Sequence, residues 1–194
     1  MKFEINSYED YQREYEKSIS DPEKFWEEKA NDFLWRKKWD KTLEWNFDDP
    51  KIEWFVGGKL NITENCLDRH LKENGNKTAF IWESNDPKDK PVSISYSELY
   101  LKVCRFANVL KNNGVRKGDT ICIYLPMIPE LVVAMLACTR IGAVHSVVYA
   151  GFSSGSLASR INDAAAKILI TYDGAYRGEK KIPLKRIADE ALTN

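Results

Sequence analysis

The chain has 194 residues, and its 29 Lys and Arg balance its 29 Asp and Glu, so the formal net charge is zero. Zero net charge excludes a general nucleic-acid binder, which needs excess positive charge to displace counterions. With 43% hydrophobic and 30% charged residues the chain can bury a core and is not disordered by composition. No run approaches the roughly 18 uninterrupted apolar residues of a membrane span, so no membrane partner is expected. The Met1 end is charged and lacks the apolar stretch of a secretory signal, which points to the cytoplasm.

Residues 1–60 read as an accessory segment of amphipathic helices and a wrapping arm. Tyr8, Tyr11, Tyr15 and Ile19 fall at helical spacing behind Ser7-Tyr8-Glu9-Asp10, which resembles a capping box. Asp21-Pro22 starts a second helix, with Asp as N-cap and Pro at its first position; Trp26, Ala30, Phe33 and Leu34 are expected on one face. An irregular arm from Trp45 to Lys59 is expected next. Five of the six tryptophans lie in this segment, interleaved with charges, as on a stacking surface for single strands. Its 11 Lys and Arg against 15 Asp and Glu leave it at −4, however, which repels phosphates. These aromatics are expected to pack on another protein surface.

Residues 61–194 read as the beginning of an α/β domain. Asn65 is expected to cap a short helix through Leu67 and Leu71, ending near Gly75. Residues 79–83 and 92–96 read as strands. Ser95-Tyr96-Ser97-Glu98 is a capping box before a helix whose buried stripe is Leu99, Val103, Phe106, Ala107 and Leu110, and Gly114 ends it. Thr120 to Leu125, Val144 to Tyr149 and Lys167 to Thr171 are near-continuous apolar strands, alternating with helices that open at Pro129, near Ser154 and at Pro183. Such strands are covered on both faces, so the fold class is α/β: an open, mostly parallel sheet flanked by helices with right-handed crossovers, preceded by a helical accessory extension. The last helix should feed another strand, which suggests a piece of a longer protein.

In open α/β sheets ligands bind beyond the carboxyl ends of the strands. Two loops there carry candidate residues. Tyr149-Ala150-Gly151-Phe152-Ser153-Ser154-Gly155 runs from a strand end into a helix start, where glycine lets a ligand approach the backbone and the helix N-terminus favours an anion. Asp173 follows Gly151 by 22 positions, near the offset of a dinucleotide site's ribose-binding acid, but G-x-x-x-G is only a partial match to that fingerprint. The second loop runs from Tyr172 to Lys181. Its Arg177 and Lys180 could grip a phosphate, as fork and point charge, or be idle charges on a solvated loop. Cys66, Cys104, Cys122 and Cys138 show no C-x-x-C, and with only two histidines there is no metal-ligand spacing. Cys104, Cys122 and Cys138 lie in apolar runs, where a free thiol packs as a small hydrophobe. No nucleophile–base pair, metal ligand set or Ser/Thr/Gly-rich phosphate loop is present, so no catalytic residue is assigned.

Trp54-Phe55-Val56-Gly57-Gly58-Lys59-Leu60-Asn61, Asn65 to His70, Val103 to Asn108, Tyr124 to Met127, Ala134 to Cys138, Arg140 to Val148 and Asp173 to Lys185 together resemble the AMP-forming acetyl-CoA synthetases, within the acyl-adenylate-forming ligases. Apart from the first few residues, the likeness covers the chain in order. It implies an enzyme that condenses acetate with ATP to acetyl-AMP and pyrophosphate, then passes the acetyl group to CoA and releases AMP. ATP and CoA would be substrates of the parent enzyme, with Mg²⁺ accompanying ATP through ligands outside this chain. The resemblance implies contact with the nucleotide end of CoA by Gly151, Arg177 and Lys180, with Gly178 keeping the backbone open and Tyr149 against the adenine. Many relatives have Gly where this chain has Ala150, and Arg where it has Lys180, which weakens the phosphate grip. The family's ATP loop, ribose-binding acid, acetate pocket and catalytic lysine have no counterpart here, so the fragment alone is expected to be inactive. A propionyl-CoA synthetase fragment, a non-catalytic CoA-binding or assembly module, and a dinucleotide-binding fragment resting on Gly151, Gly155 and Asp173 are the alternatives. Homo-oligomerisation stays open.

Overall fold

The computed structural model describes residues 4–193. They form two compact units that divide between Asn61 and Ile62. No helix among the described residues is long and apolar enough to cross a membrane.

In the first unit, helix α1 (Tyr8–Ser20) starts at Ser7, whose side chain accepts the Asp10 amide at 3.0 Å. Only this half of the expected capping box forms. The Asp10 carboxylate, a methylene shorter than the usual glutamate, takes the Asn6 amide at 3.4 Å and the Arg13 guanidinium at 2.6 Å instead. Helix α2 (Pro22–Ala30) opens on Asp21 and Pro22 as expected but stops at Ala30, so Phe33 and Leu34 lie beyond it and not on its face. Glu14 joins the two helices, reaching Lys29 at 2.7 Å and Lys17 at 2.9 Å.

The arm expected to be irregular is largely an antiparallel hairpin of β1 (Lys41–Asn46) and β2 (Lys51–Val56). Its turn is organised by Asn46, whose side-chain oxygen accepts the amides of Asp48 at 3.0 Å and Asp49 at 3.3 Å. Trp35, Trp39 and Phe55 pack as mutually inclined rings, with centroids 4.9, 5.4 and 5.1 Å apart. Phe55 reaches that cluster with φ at +53°, a strained setting for an aromatic residue that three-ring packing helps to hold.

In the second unit, Asn65 is no cap: it lies buried within α3 (Ile62–Cys66). The expected single helix is broken into α3, a 3₁₀ turn at Asp68–His70 and α4 (Leu71–Asn74). Strands β3 (Thr78–Trp82) and β4 (Val92–Ser95) pair antiparallel. Helix α5 (Tyr96–Asn112) begins with a complete capping box, in which Ser95 Oγ accepts the Glu98 amide and Glu98 accepts the Ser95 amide.

Strand β5 (Thr120–Tyr124), α6 (Pro129–Ile141), β6 (Val144–Val147), α7 (Ser154–Asp163) and β7 (Ile168–Thr171) build a parallel sheet in the order β6-β5-β7. The pleat of β5 sends alternate side chains to opposite faces. Ile121 and Ile123 enter a core with Leu99, Val103 and Leu110 of α5 and Leu131 and Ala134 of α6. Cys122 and Tyr124 enter a second core with Leu157 of α7 and Leu184 and Ala188 of α8 (Leu184–Ala191). The crossover from β5 to β6 and the one from β6 back past β5 to β7 run in opposite directions across the sheet and cover opposite faces, which a common right hand requires. The Arg140 guanidinium of α6 reaches both Asp68 carboxylate oxygens, at 3.0 and 2.8 Å, and ties the 3₁₀ turn to that helix.

Candidate functional site

The first candidate cluster follows β6. Tyr124, fully buried at the end of β5, donates its hydroxyl to the Phe152 carbonyl at 2.8 Å and lies 3.4 Å from the Ala150 carbonyl. Burial pushes this phenol's pKa up, so it remains a donor. Ser153 then caps α7 by accepting the Ser156 amide at 3.3 Å. A buried anchor and a cap thus shape the turn around Gly151. The glycine leaves room in a way that spacing does not reveal: a Cβ there would stand 2.4 Å from the Tyr149 ring and would push that ring aside. Tyr149, 55% exposed, folds over its own chain and meets Phe152 edge-on at 5.8 Å. Phe152 in turn carries the Arg160 guanidinium over its face at 4.8 Å. The side of Gly151 expected to lie open to a ligand is therefore covered by an aromatic ring whose outer surface faces solvent.

The second cluster follows β7. The segment read as a loop from Tyr172 to Lys181 contains a hairpin of β8 (Ala175–Arg177) and β9 (Lys180–Ile182). Gly178 has φ of +59° and occupies the first position of the two-residue turn, where a type II′ hairpin requires glycine. Arg177 and Lys180 are directly opposite in the register, so their side chains share one face. That face also carries Ala175 and Ile182, which pack on the second core, whereas Tyr176 and Lys181 point to the other side. Arg177 and Lys180 are exposed, and neither is ion-paired with a described carboxylate. Two like charges held directly opposite destabilise a hairpin unless an anion lies between them.

The structure thus gathers Arg177, Gly178 and Lys180 on one hairpin tip, and Tyr149 with Gly151 at a separate turn. It removes the geometric basis of the dinucleotide reading. Gly151 and Asp173 follow β6 and β7, which lie on opposite sides of β5. A dinucleotide site instead places its acid on the strand beside the glycine loop. The Asp173 carboxylate also accepts the neighbouring Gly174 amide at 2.8 Å.

One participant has no motif. Asn85, in the turn between β3 and β4, donates its side-chain amide to the Gly178 carbonyl at 3.2 Å across 93 positions of sequence. Of the three thiols in apolar runs, Cys122 and Cys138 are fully buried while Cys104 is only half-buried, and burial pushes the Cys138 thiol up to about 11. Burial likewise lowers the pKa of His145 and keeps its ring neutral at pH 7. No group of three or more His, Cys, Asp or Glu arranged for a metal occurs among the described residues.

Residues 67–193 match the family described as AMP-binding enzyme, and residues 11–66 match the acetyl-coenzyme A synthetase N-terminus. Among similar proteins, the acetyl-coenzyme A synthetase of Bdellovibrio bacteriovorus is 54% identical over 183 residues, and that of Syntrophus aciditrophicus 56% over 183 residues; both alignments cover 94% of this chain. The acetyl-coenzyme A synthetase of Vibrio vulnificus is 51% identical over 182 residues, or 93% of the chain. The chain spans 28% of the length of each of these relatives. With two thirds of its length in that match and an acetyl-coenzyme A synthetase N-terminal segment ahead of it, the chain belongs to the AMP-binding enzyme family.

Proposed function

We propose that this chain is the N-terminal part of an AMP-forming acetate–CoA ligase and supplies that enzyme's grip on the nucleotide end of CoA. In the reaction, acetate attacks the α-phosphorus of Mg²⁺-bound ATP and displaces pyrophosphate, leaving acetyl-AMP. The CoA thiol, losing its proton, then attacks the acetyl carbon and displaces AMP. Names and identities of relatives along nearly the whole chain support the ligase reading. The role of this chain is carried by one observation: Arg177 and Lys180 stand opposite each other without a described carboxylate partner, on a tip turned by Gly178.

In this reading Arg177 binds a CoA phosphate as a fork and Lys180 adds a point charge, weaker than the arginine of many relatives. Gly178 leaves the tip backbone clear. The outer face of the Tyr149 ring takes the adenine, and Gly151 makes room for that ring against the chain. Acetate, ATP and the remaining catalytic groups belong to the part of the relatives that this chain does not span, so the chain alone catalyses neither half-reaction. We place the enzyme in the cytoplasm, acting on small molecules, and its balanced charge fits a chain without a nucleic-acid partner.

The test uses the full-length ligase with acetate, ATP and Mg²⁺, with and without CoA, following pyrophosphate and AMP. CoA-dependent AMP release is expected. Arg177→Ala should raise the CoA KM about tenfold, the scale of one charge-assisted hydrogen bond, and far more than the ATP KM. An unchanged CoA KM removes the hairpin from the CoA site. No pyrophosphate with any short acid removes the ligase reading and leaves a binding module, and preference for propionate moves the enzyme to the propionyl-CoA synthetases.

A further inference from the structure

A two-stranded hairpin with three residues per strand is too small to hold its own tip in place. The base of this one is fastened, because Ala175 and Ile182 pack on the second core. Its tip, where Arg177 and Lys180 meet, extends beyond that packing, and mutual repulsion favours splaying the two cations apart. Something else must set the direction of the turn.

The segment from Ser84 to Asp89 has the properties needed. It is stiffened from within: Ser84 Oγ donates to the Asp89 carboxylate at 2.6 Å and accepts the Asp86 amide at 3.2 Å, while the Asp86 carboxylate accepts the Lys88 amide at 2.9 Å. It is also anchored to the body, since the Trp82 indole on the preceding strand donates to the Met127 carbonyl at 2.7 Å. From this support Asn85 reaches the Gly178 carbonyl at 3.2 Å. The same segment and the hairpin's Tyr176, Gly178 and Glu179 enclose a cleft of about 810 Å³. Tyr176 lies on the hairpin face opposite to Arg177 and Lys180. Asn85 therefore holds the turn from behind and leaves the cationic face clear.

We propose that Asn85 is a positioning residue for anion capture: its amide pins the Gly178 carbonyl, and so presents Arg177 and Lys180 to the phosphates of CoA. This rests on the CoA reading of the hairpin given above. Asn85 touches no substrate; it acts through the direction of the turn, and its effect requires the arginine that the turn presents.

The experiment is a cycle of Asn85→Ala, Arg177→Ala and the double variant in the full-length ligase. CoA and ATP KM are measured together with amide hydrogen exchange of the peptide spanning residues 176–182. Asn85→Ala should raise the CoA KM about fivefold, the scale of one net neutral hydrogen bond, and speed exchange of that peptide. In the Arg177→Ala background it should add less than about twofold, because two residues acting through one contact are not additive. Asn85→Asp, which keeps the shape but loses the donor, should reproduce the exchange change. Unchanged exchange in both Asn85 variants overturns the pin, whatever the ligand. Equal effects of Asn85→Ala with and without Arg177 also overturn the proposal, as does a parallel rise in ATP KM, since either marks a general structural role. If Arg177→Ala itself leaves the CoA KM unchanged, the CoA reading fails, and the proposal falls with it.

Discussion

Helices α1 and α5 are written in the same grammar and meet opposite fates. Each starts at a serine cap and repeats apolar residues at helical spacing. On α5 the stripe of Leu99, Val103, Ala107 and Leu110 is buried in the core beside β5. On α1 the stripe of Tyr8, Tyr11, Tyr15 and Ile19 is exposed, and among the described residues its tyrosines stack on one another at 6.2 and 6.0 Å. The contrast extends to the units that hold them. Among the described residues up to Asn61 only Ala30 and Thr42 are buried, and hydrogen bonds, ion pairs and ring contacts hold that unit. The second unit is organised around two apolar cores on either side of one strand. Periodicity fixes which face of a helix is apolar; it does not supply a surface to bury that face.

The largest effect that tests this contrast comes from the two stripes themselves. Leu110→Ala should cost about 2–5 kcal/mol of unfolding free energy, because a cavity replaces a buried side chain. Tyr11→Ala should stay within about 0.5 kcal/mol, the range of exposed substitutions. Urea unfolding of both variants checks this, and equal losses would show that the exposed stripe stabilises the fold as much as the buried one does.

A smaller effect belongs to the caps. Ser95→Ala removes the hydroxyl that accepts the Glu98 amide at 3.2 Å and donates to the Glu98 carboxylate at 2.7 Å, and should cost about 1 kcal/mol, whereas Ser7→Ala, at the half-formed box, should cost less. The difference in urea midpoint between the two variants reads this directly, and a larger loss from Ser7→Ala would reverse the ranking.

The mildest concerns pH and salt. The hydrogen bond from Lys29, and then that from Lys17, lowers the Glu14 carboxyl from its usual 4.5 to about 2. Because the folded pKa is depressed, the contribution is present above pH 4.5 and is lost as pH falls toward 2. Wild type and Glu14→Gln should therefore differ in helical circular dichroism melts at neutral pH and converge as acid is added. Added salt should shrink the neutral-pH difference, since these side chains are partly exposed. A difference that persists well below pH 2 would assign the helix pairing to packing instead.

Much of the α/β unit was legible because its signals are local or periodic. The Ser95–Glu98 box, the apolar strands around Ile121, Val144 and Ile168, and Pro129 at a helix start all act through neighbours within a turn or two. The hairpin of β1 and β2 was missed because charged residues interrupt its alternation and its turn depends on Asn46 folding onto the next two amides. The candidate site divides in the same way. The residue types at Gly151, Arg177 and Lys180 can be read in order along the chain, but the opposition of the two cations across a two-residue turn needs the register of β8 and β9. Asn85 carries no motif at all, and only the distance to Gly178 marks it.

By itself, then, the sequence determined the caps at Asp21 and Ser95, the buried face of α5, the parallel strands and the family, since each follows from residues close together or from an ordered series of short stretches. Tertiary structure alone decided that Asn65 is buried instead of capping, that Tyr149 covers Gly151, and that two cations face each other under a support 93 positions away. The physical reason is one of range. Caps and periodicity act along the chain, whereas burial, close ring packing and a hydrogen bond between distant loops exist only after the chain has closed on itself.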